Sequence, residues 1–415
     1  MIRFLVVKTI QIGAKMKGTI EKEGFLDKRF IHEFMDLING NKIFFNKPEL
    51  ISLYNLICTF KDRLITSVNY LNKHSERPNN EENFIIFLVF ACMIYDGFNK
   101  MYESLLHEIP PYKGEKKYFK DVKNFKEYFF TDETCPTDDV FFEYLRAMAF
   151  AHPYEVVRKG RPFIKDKEKH YCPWVVINNI FNFDDIKDSV GIRIYTSIDQ
   201  DEITTLTFSF NNLKRYIKSI YNTFPRFIKW ARNIIDEQNE EWKKIKVNRK
   251  QDNIALLKEV RNILERRFAD TYSIDKILSY LTCEITDVKN RLNIEIFRRK
   301  ISSSISKICD AVDDLNYEAI EDVLSFIYET PEKMHKGAGY QLEKIYSYLH
   351  ERSETINKTS DEYWGLQQAY LFSQGFAKKW VTINVQTMQY DEIKLLVTVA
   401  CYLEKEEQEK RKVKI

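Results

Sequence analysis

A chain of 415 residues has room for two or three cores, since domains usually run to about 100–200 residues. With 44% apolar and 14% aromatic residues, only twelve Gly and only ten Pro, it is not a disordered or collagen-like chain, and much of its interior is expected to be aromatic. A net charge of +3 is too small to imply nucleic-acid binding by itself, and seven scattered cysteines without a C-x-x-C spacing argue against a disulfide framework or a zinc site.

Residues 1–15 are largely apolar, but Arg3, Lys8 and Lys15 interrupt them and no small-residue cleavage site follows, so no signal segment is expected. The apolar run from Phe84 to Tyr95 is twelve residues, too short to span a bilayer, and reads as a helix buried on nearly all sides. Together with the cysteine usage, this predicts a cytoplasmic protein without a membrane partner.

Residues 1–45 form an N-terminal cap segment, with Phe30, Phe34, Met35 and Ile38 predicting a short helix before Gly40. Pro48 suits the first turn of a helix, where its missing N–H costs nothing. Leu53, Leu56, Phe60, Leu64, Val68 and Leu71 recur at three- and four-residue steps and carry that helix to about His74. After the loop at Arg77–Asn80, a second helix is expected from about Glu82 to Glu108, ended by Pro110 and Pro111. A lysine-rich connection leads to Thr137 or Asp138, either of which can cap a third helix carrying Val140, Phe141, Tyr144, Leu145 and Met148. Pro153 disfavours α geometry at the residue before it and stops this helix near Ala151 or His152.

The pattern then alternates. Trp174–Ile177, Val190–Thr196 and Ile203–Phe210 predict a small antiparallel sheet inserted at about 172–210, with Asp199–Glu202 as a polar connection. Helical periodicity resumes at Leu213, with long helices over Pro225–Lys246 and Asn253–Ala269. Residues 236–415 read as a helical C-terminal region for sensing or interaction, holding four or five helices from about 270 to 403. The charged tail from Glu404 is expected to fray.

Arg146 and His152 are the one pair that suggests chemistry. About one such spacing arises by chance in a chain with seven histidines, so the setting carries the reading. The pair closes an apolar helix that follows two long ones. Basic segments flank the region, from Lys113 to Lys126 and from Arg158 to Lys169, each with six basic and two acidic residues. This arrangement resembles the HEPN superfamily (higher eukaryotes and prokaryotes nucleotide-binding), whose members are helical bundles bearing an arginine, four to six residues and a histidine. The resemblance covers roughly residues 46–235. It implies a mainly α fold, a HEPN-like bundle with the β insertion placed before its last helix, followed by the helical C-terminal region.

The resemblance also implies a metal-independent endoribonuclease without a cofactor, acting on RNA as a homodimer in antiphage or stress defence, abortive infection among them. Arg146 and His152 would be catalytic, and Arg158, Lys159 and Arg161 would hold the RNA backbone. A histidine titrates near neutrality and can move a proton at a ribose hydroxyl, while arginine keeps its charge and forks onto a phosphate. This chain has Ala147 where the family often carries a polar residue. On a regular helix, positions six apart diverge by about 120°, so a shared site needs a distorted last turn or a partner chain.

The alternative reading is a non-catalytic helical protein that binds nucleic acid or, through its C-terminal helices, a protein partner. There His152 is a core histidine at the helix end and Arg146 pairs with Glu143 or Asp139. Three further stretches carry weaker signals. His170–Trp174 resembles the approach to a strand. Lys243–Arg267 holds nine bases and three acids, and Asp310–Glu332 holds eight acids and no base. Gly337-Ala338-Gly339 reads as a turn without the context of a phosphate loop.

Overall fold

The computed structural model describes residues 24–124, 127–177, 188–198, 203–349 and 360–413. The apolar run at 1–15 and the connection Asp199–Glu202 lie outside the described residues. The chain divides into two compact units, residues 1–235 and 236–415.

The first unit opens with α1 (Arg29–Gly40), the short α2 (Ile43–Asn46), α3 (Pro48–Lys73) and α4 (Glu81–Ser104). Pro48 starts α3 in its first turn. Asn80 caps α4, its side chain accepting the Asn83 N–H at 2.8 Å, and Glu81 and Glu82 add negative charge to the first turn. After a sheet-bearing segment, with α5 (Asp138–Arg146) inside it, come α6 (Phe210–Tyr221) and α7 (Pro225–Lys243), whose residues from 236 onward belong to the second unit. Ser209 caps α6 through the Asn212 N–H.

Phe60, Phe98, Phe224 and Phe227 are buried where α3 and α4 meet the start of α7, with neighbouring ring centroids 5.4–6.3 Å apart, mostly edge-to-face. Phe34 of α1 joins this cluster, so the N-terminal helix is part of the same core. By length and composition, α4 is the one described helix able to cross a bilayer, and it outruns the twelve-residue run read from sequence. Half of its apolar stretch is buried inside the unit. Contrary to the expectation of a helix buried on nearly all sides, Ile86 and Met93 face outward at 41% and 37% exposure.

The sheet is antiparallel and wider than expected. Its strands are β1 (Lys123–Asn124), β2 (Glu127–Tyr128), β3 (Val156–Val157), β4 (Lys169–Tyr171), β5 (Val175–Val176), β6 (Ser189–Thr196) and β7 (Ile203–Ser209). The order is β2-β1-β7-β6-β4-β3, with β5 also paired to β6. It therefore draws strands from 123 onward, on both sides of α5, instead of lying within 172–210. Gly191 belongs in β6 because a Cβ there would meet the Leu206 carbonyl oxygen at 2.3 Å.

The second unit contains α8 (Asn253–Arg266), α9 (Tyr272–Thr282), α10 (Arg291–Asp313), α11 (Tyr317–Val323), α12 (Ala338–Tyr348), α13 (Ser360–Ser373) and α14 (Tyr390–Val413). Among the described residues, six α-helices thus follow residue 270, more than the four or five expected. Ile294, Phe297, Ile301, Ile305 and Ile308 of α10 and Ile393, Leu396, Val397 and Ala400 of α14 are buried in its core.

The tail from Glu404 does not fray, since α14 continues to Val413. Lys405 pairs with Glu329, Lys412 with Glu332 and Lys379 with Glu407, which gives the charged helix partners outside itself. Gly337 precedes α12 with φ +86°, while Ala338 and Gly339 are already helical.

Candidate active site at the end of α5

Buried anchors position α5. The Asp138 carboxylate accepts the backbone N–H groups of Lys117, Tyr118 and Phe119 at 2.9–3.2 Å, tying the lysine-rich connection to the helix start. The Tyr216 hydroxyl donates to Asp139 at 2.6 Å. Gly114 lies against that same carboxylate, where a Cβ would meet Oδ2 at 1.8 Å.

At its other end, α5 passes into a single π-helical turn, Ala147–Ala151. The His152 N–H donates to the Ala147 carbonyl five residues back at 2.8 Å, and His152 leaves the helix at φ −143°, ψ 53°. Pro153 explains the exit, because its ring excludes α geometry at the preceding residue.

The wide turn changes which side chains face inward. Tyr144 and Met148 are fully buried, but His152, next on the α-helical row, is exposed. The expectation of a core histidine is therefore corrected, since a turn of five residues no longer returns this position to the buried face. Among the described residues, the imidazole has no side-chain hydrogen bond or ion pair.

Arg146, 32% exposed, pairs with Asp96 of α4 at 2.9 Å and with Glu143 at 3.7 Å. Of the two acids expected beside it, Glu143 is a partner, whereas Asp139 is engaged by Tyr216. Burial raises the pKa of the Asp96 and Glu143 carboxyls, and the arginine acts against that rise.

Arg158 and Lys159 are exposed on the turn through Gly160, whose φ is +79°. Arg161 instead folds back: Nη1 donates to the Val157 carbonyl at 3.0 Å and the guanidinium sits 6.0 Å from the centre of the Tyr144 ring. Burial lowers its pKa, and Tyr144 and Glu143 raise it.

Sequence reasoning missed a buried relay beside this cation. The Tyr144 hydroxyl lies 2.7 Å from His170 Nδ1, and His170 Nε2 is 3.6 Å from Glu168. His170 and Glu168 are 3% and 7% exposed. The alternation of β4 was the available signal, as it turns His170 inward between half-buried Lys169 and Tyr171.

A cavity of about 350 Å³ opens beside the π turn, lined by Ala149, Pro153, Tyr154, Trp174 and Tyr195. Tyr154, Trp174 and Tyr195 are 88%, 41% and 39% exposed respectively, and half-buried Tyr171 also lines it. Among the described residues, no group of histidines, cysteines and acids is arranged to hold a metal ion. Burial pushes the Cys92 and Cys172 thiols up to about 12, so neither is a ready nucleophile.

The charged stretches of the second unit are largely occupied. Arg249 bridges Asp310 and Asp313, Arg261 pairs with Asp275, and Arg267 is buried and donates to the carbonyls of Trp242, Ile245 and Val312. Comparisons of the chain with protein-family models, with curated proteins and with solved structures find no match.

Proposed function

We propose that the first unit is a metal-independent endoribonuclease of the HEPN type, working as a homodimer in antiphage or stress defence. One observation carries this reading: the π turn after Arg146 presents the His152 side chain to solvent with no hydrogen-bond or ion-pair partner among the described residues. A histidine kept there for packing would lie inside.

Without a metal, cleavage needs the RNA to supply its own nucleophile. A neutral imidazole takes the proton from a ribose 2′-hydroxyl, and the oxygen attacks the adjacent phosphorus. A protonated imidazole gives a proton to the departing 5′-oxygen, leaving a 2′,3′-cyclic phosphate. Two copies of the chain supply the two imidazoles. Arg146 offsets the charge that builds on the phosphate oxygens. Tyr154, Trp174 and Tyr195 offer faces on which unpaired bases can stack, and Arg158 and Lys159 offer charge to the backbone.

The test compares His152→Ala and Arg146→Ala with the parent chain on a single-stranded RNA in the presence of a chelator. Both variants should keep the parent's circular dichroism and lose cleavage. Undiminished cleavage in both, or a strictly monomeric parent, rejects the reading.

A second reading, a non-catalytic helical protein that binds a partner, is favoured by the pairing of Arg146 with Asp96 and Glu143. There the arginine staples α5 to α4. It predicts no cleavage by the parent at any pH near neutrality.

A further inference from the structure

Lys276 of α9 stands apart from the other charged side chains of the second unit. Its Nζ lies 4.2 Å from the ring centre of Tyr328, 4.8 Å from that of Tyr346 and 5.9 Å from that of Tyr280. Three rings thus enclose one amine, and among the described residues no carboxylate pairs with it.

The hydroxyls of the box are tied to each other and to neighbours, not to the amine. Tyr280 and Tyr346 share the Thr398 hydroxyl at 2.9 and 2.7 Å. Tyr328 meets Ser273 at 2.7 Å, and Ser273 donates to Glu321 at 2.8 Å.

The charged neighbours are also engaged. Asp275, the next acid on α9, is held by Arg261 and Thr271, while Lys394 of α14 is paired with Asp391. An amine in this setting loses hydration without gaining a counter-ion, and a second cation stands near it. Both effects favour the neutral, nucleophilic form. Burial first, and Lys394 second, bring the Lys276 pKa down to about 8.

The box is not sealed. Tyr272 and Tyr328, whose rings lie nearly parallel with centres 6.5 Å apart, are 63% and 41% exposed and form its outer edge. An aromatic mouth with the Glu321 and Asp270 carboxylates beside it favours a neutral, planar electrophile over an anionic acyl donor.

We propose that Lys276 is a reactive amine site that takes an aromatic aldehyde as a covalent imine. The nitrogen lone pair forms a bond to the carbonyl carbon, the C=O π pair moves to oxygen, and that oxygen takes a proton to give a carbinolamine. Loss of the hydroxyl as water and of the remaining N–H proton then yields the imine, so amine and aldehyde become imine and water with no redox change. The first of those protons comes from the attacking nitrogen, and solvent water carries the second from nitrogen to the departing hydroxyl.

The experiment treats the full chain with benzaldehyde and cyanoborohydride across a series of pH values from neutral upward, then measures benzylation of each lysine by peptide mass spectrometry. Lys276 should be labelled at least about tenfold faster than exposed Lys250, with half-maximal labelling near pH 8. Lys276→Arg should lose the adduct while Lys250 labelling stays unchanged. Labelling of Lys276 no faster than of Lys250, or none at all, overturns the proposal.

Discussion

The Arg146 guanidinium donates to the Asp96 carboxylate at 2.9 Å, joining the end of α5 to a helix fifty residues earlier in the chain. This contact holds the arginine in place and also occupies the charge that a phosphate would need. Both partners are substantially exposed, so the pair stabilises the fold by no more than about 1 kcal/mol.

Asp96→Asn separates these two effects. The variant should bind single-stranded RNA several-fold more tightly than the parent, because Arg146 no longer has to leave a carboxylate, and its melting temperature should barely change. Fluorescence anisotropy with a labelled oligonucleotide reads the affinity. Identical affinities would mean that Arg146 is not a phosphate ligand.

Tyr144→Phe tests the buried relay. It removes the 2.7 Å contact with His170 Nδ1 and leaves a buried ring nitrogen unsatisfied, which should cost about 1–3 kcal/mol. Urea denaturation measures this, and a shift below a few tenths of a kcal/mol would mean that water replaces the hydroxyl.

His170 also gives the first unit a pH dependence. Burial lowers its folded pKa from the ordinary 6.5, with Glu168 acting against the fall. On acidification through 6.5, the unfolded chain takes up a proton that the folded chain refuses. This contribution to stability is therefore complete at higher pH, declines below 6.5, and levels off once the folded imidazole is protonated. The stability difference between the parent and His170→Gln should shift in favour of the variant as pH falls from 7 to 5. Denaturation midpoints that move in parallel would contradict the assignment.

Arg158 and Lys159 act on RNA through charge alone if they hold its backbone. Lys159→Ala should weaken binding similarly across RNA sequences and reduce the salt slope on a single strand by about 0.7. Titrations at several salt concentrations give that slope; an unaltered value would take this turn out of the RNA path.

The long helices were legible because their apolar residues repeat. Phe60, Leu64, Val68 and Leu71 mark the buried row of α3, and Pro48 marks its start. The sheet was harder to read. β1 and β2 have two residues each, too few for alternation, and β1 is held by pairing with Leu206 and Thr207 of β7, more than eighty residues away. At the candidate site, Pro153 announced a helix end, but nothing local specified a π turn. The Asp96–Arg146 contact had no sequence signal at all, since it depends on how α4 and α5 pack. Arg161 looked like its basic neighbours, yet it turns inward over a buried tyrosine.

The π turn also makes ring direction at residue 152 a matter of local length. Removing one alanine between 147 and 151 would let ordinary helical spacing resume, and each α-helical residue rotates its successor by about 100°. The imidazole's azimuth would change while the chain kept the same arginine and the same histidine. A one-codon deletion here is therefore an aiming control, one that would switch off the proposed site while its chemical groups are all still present.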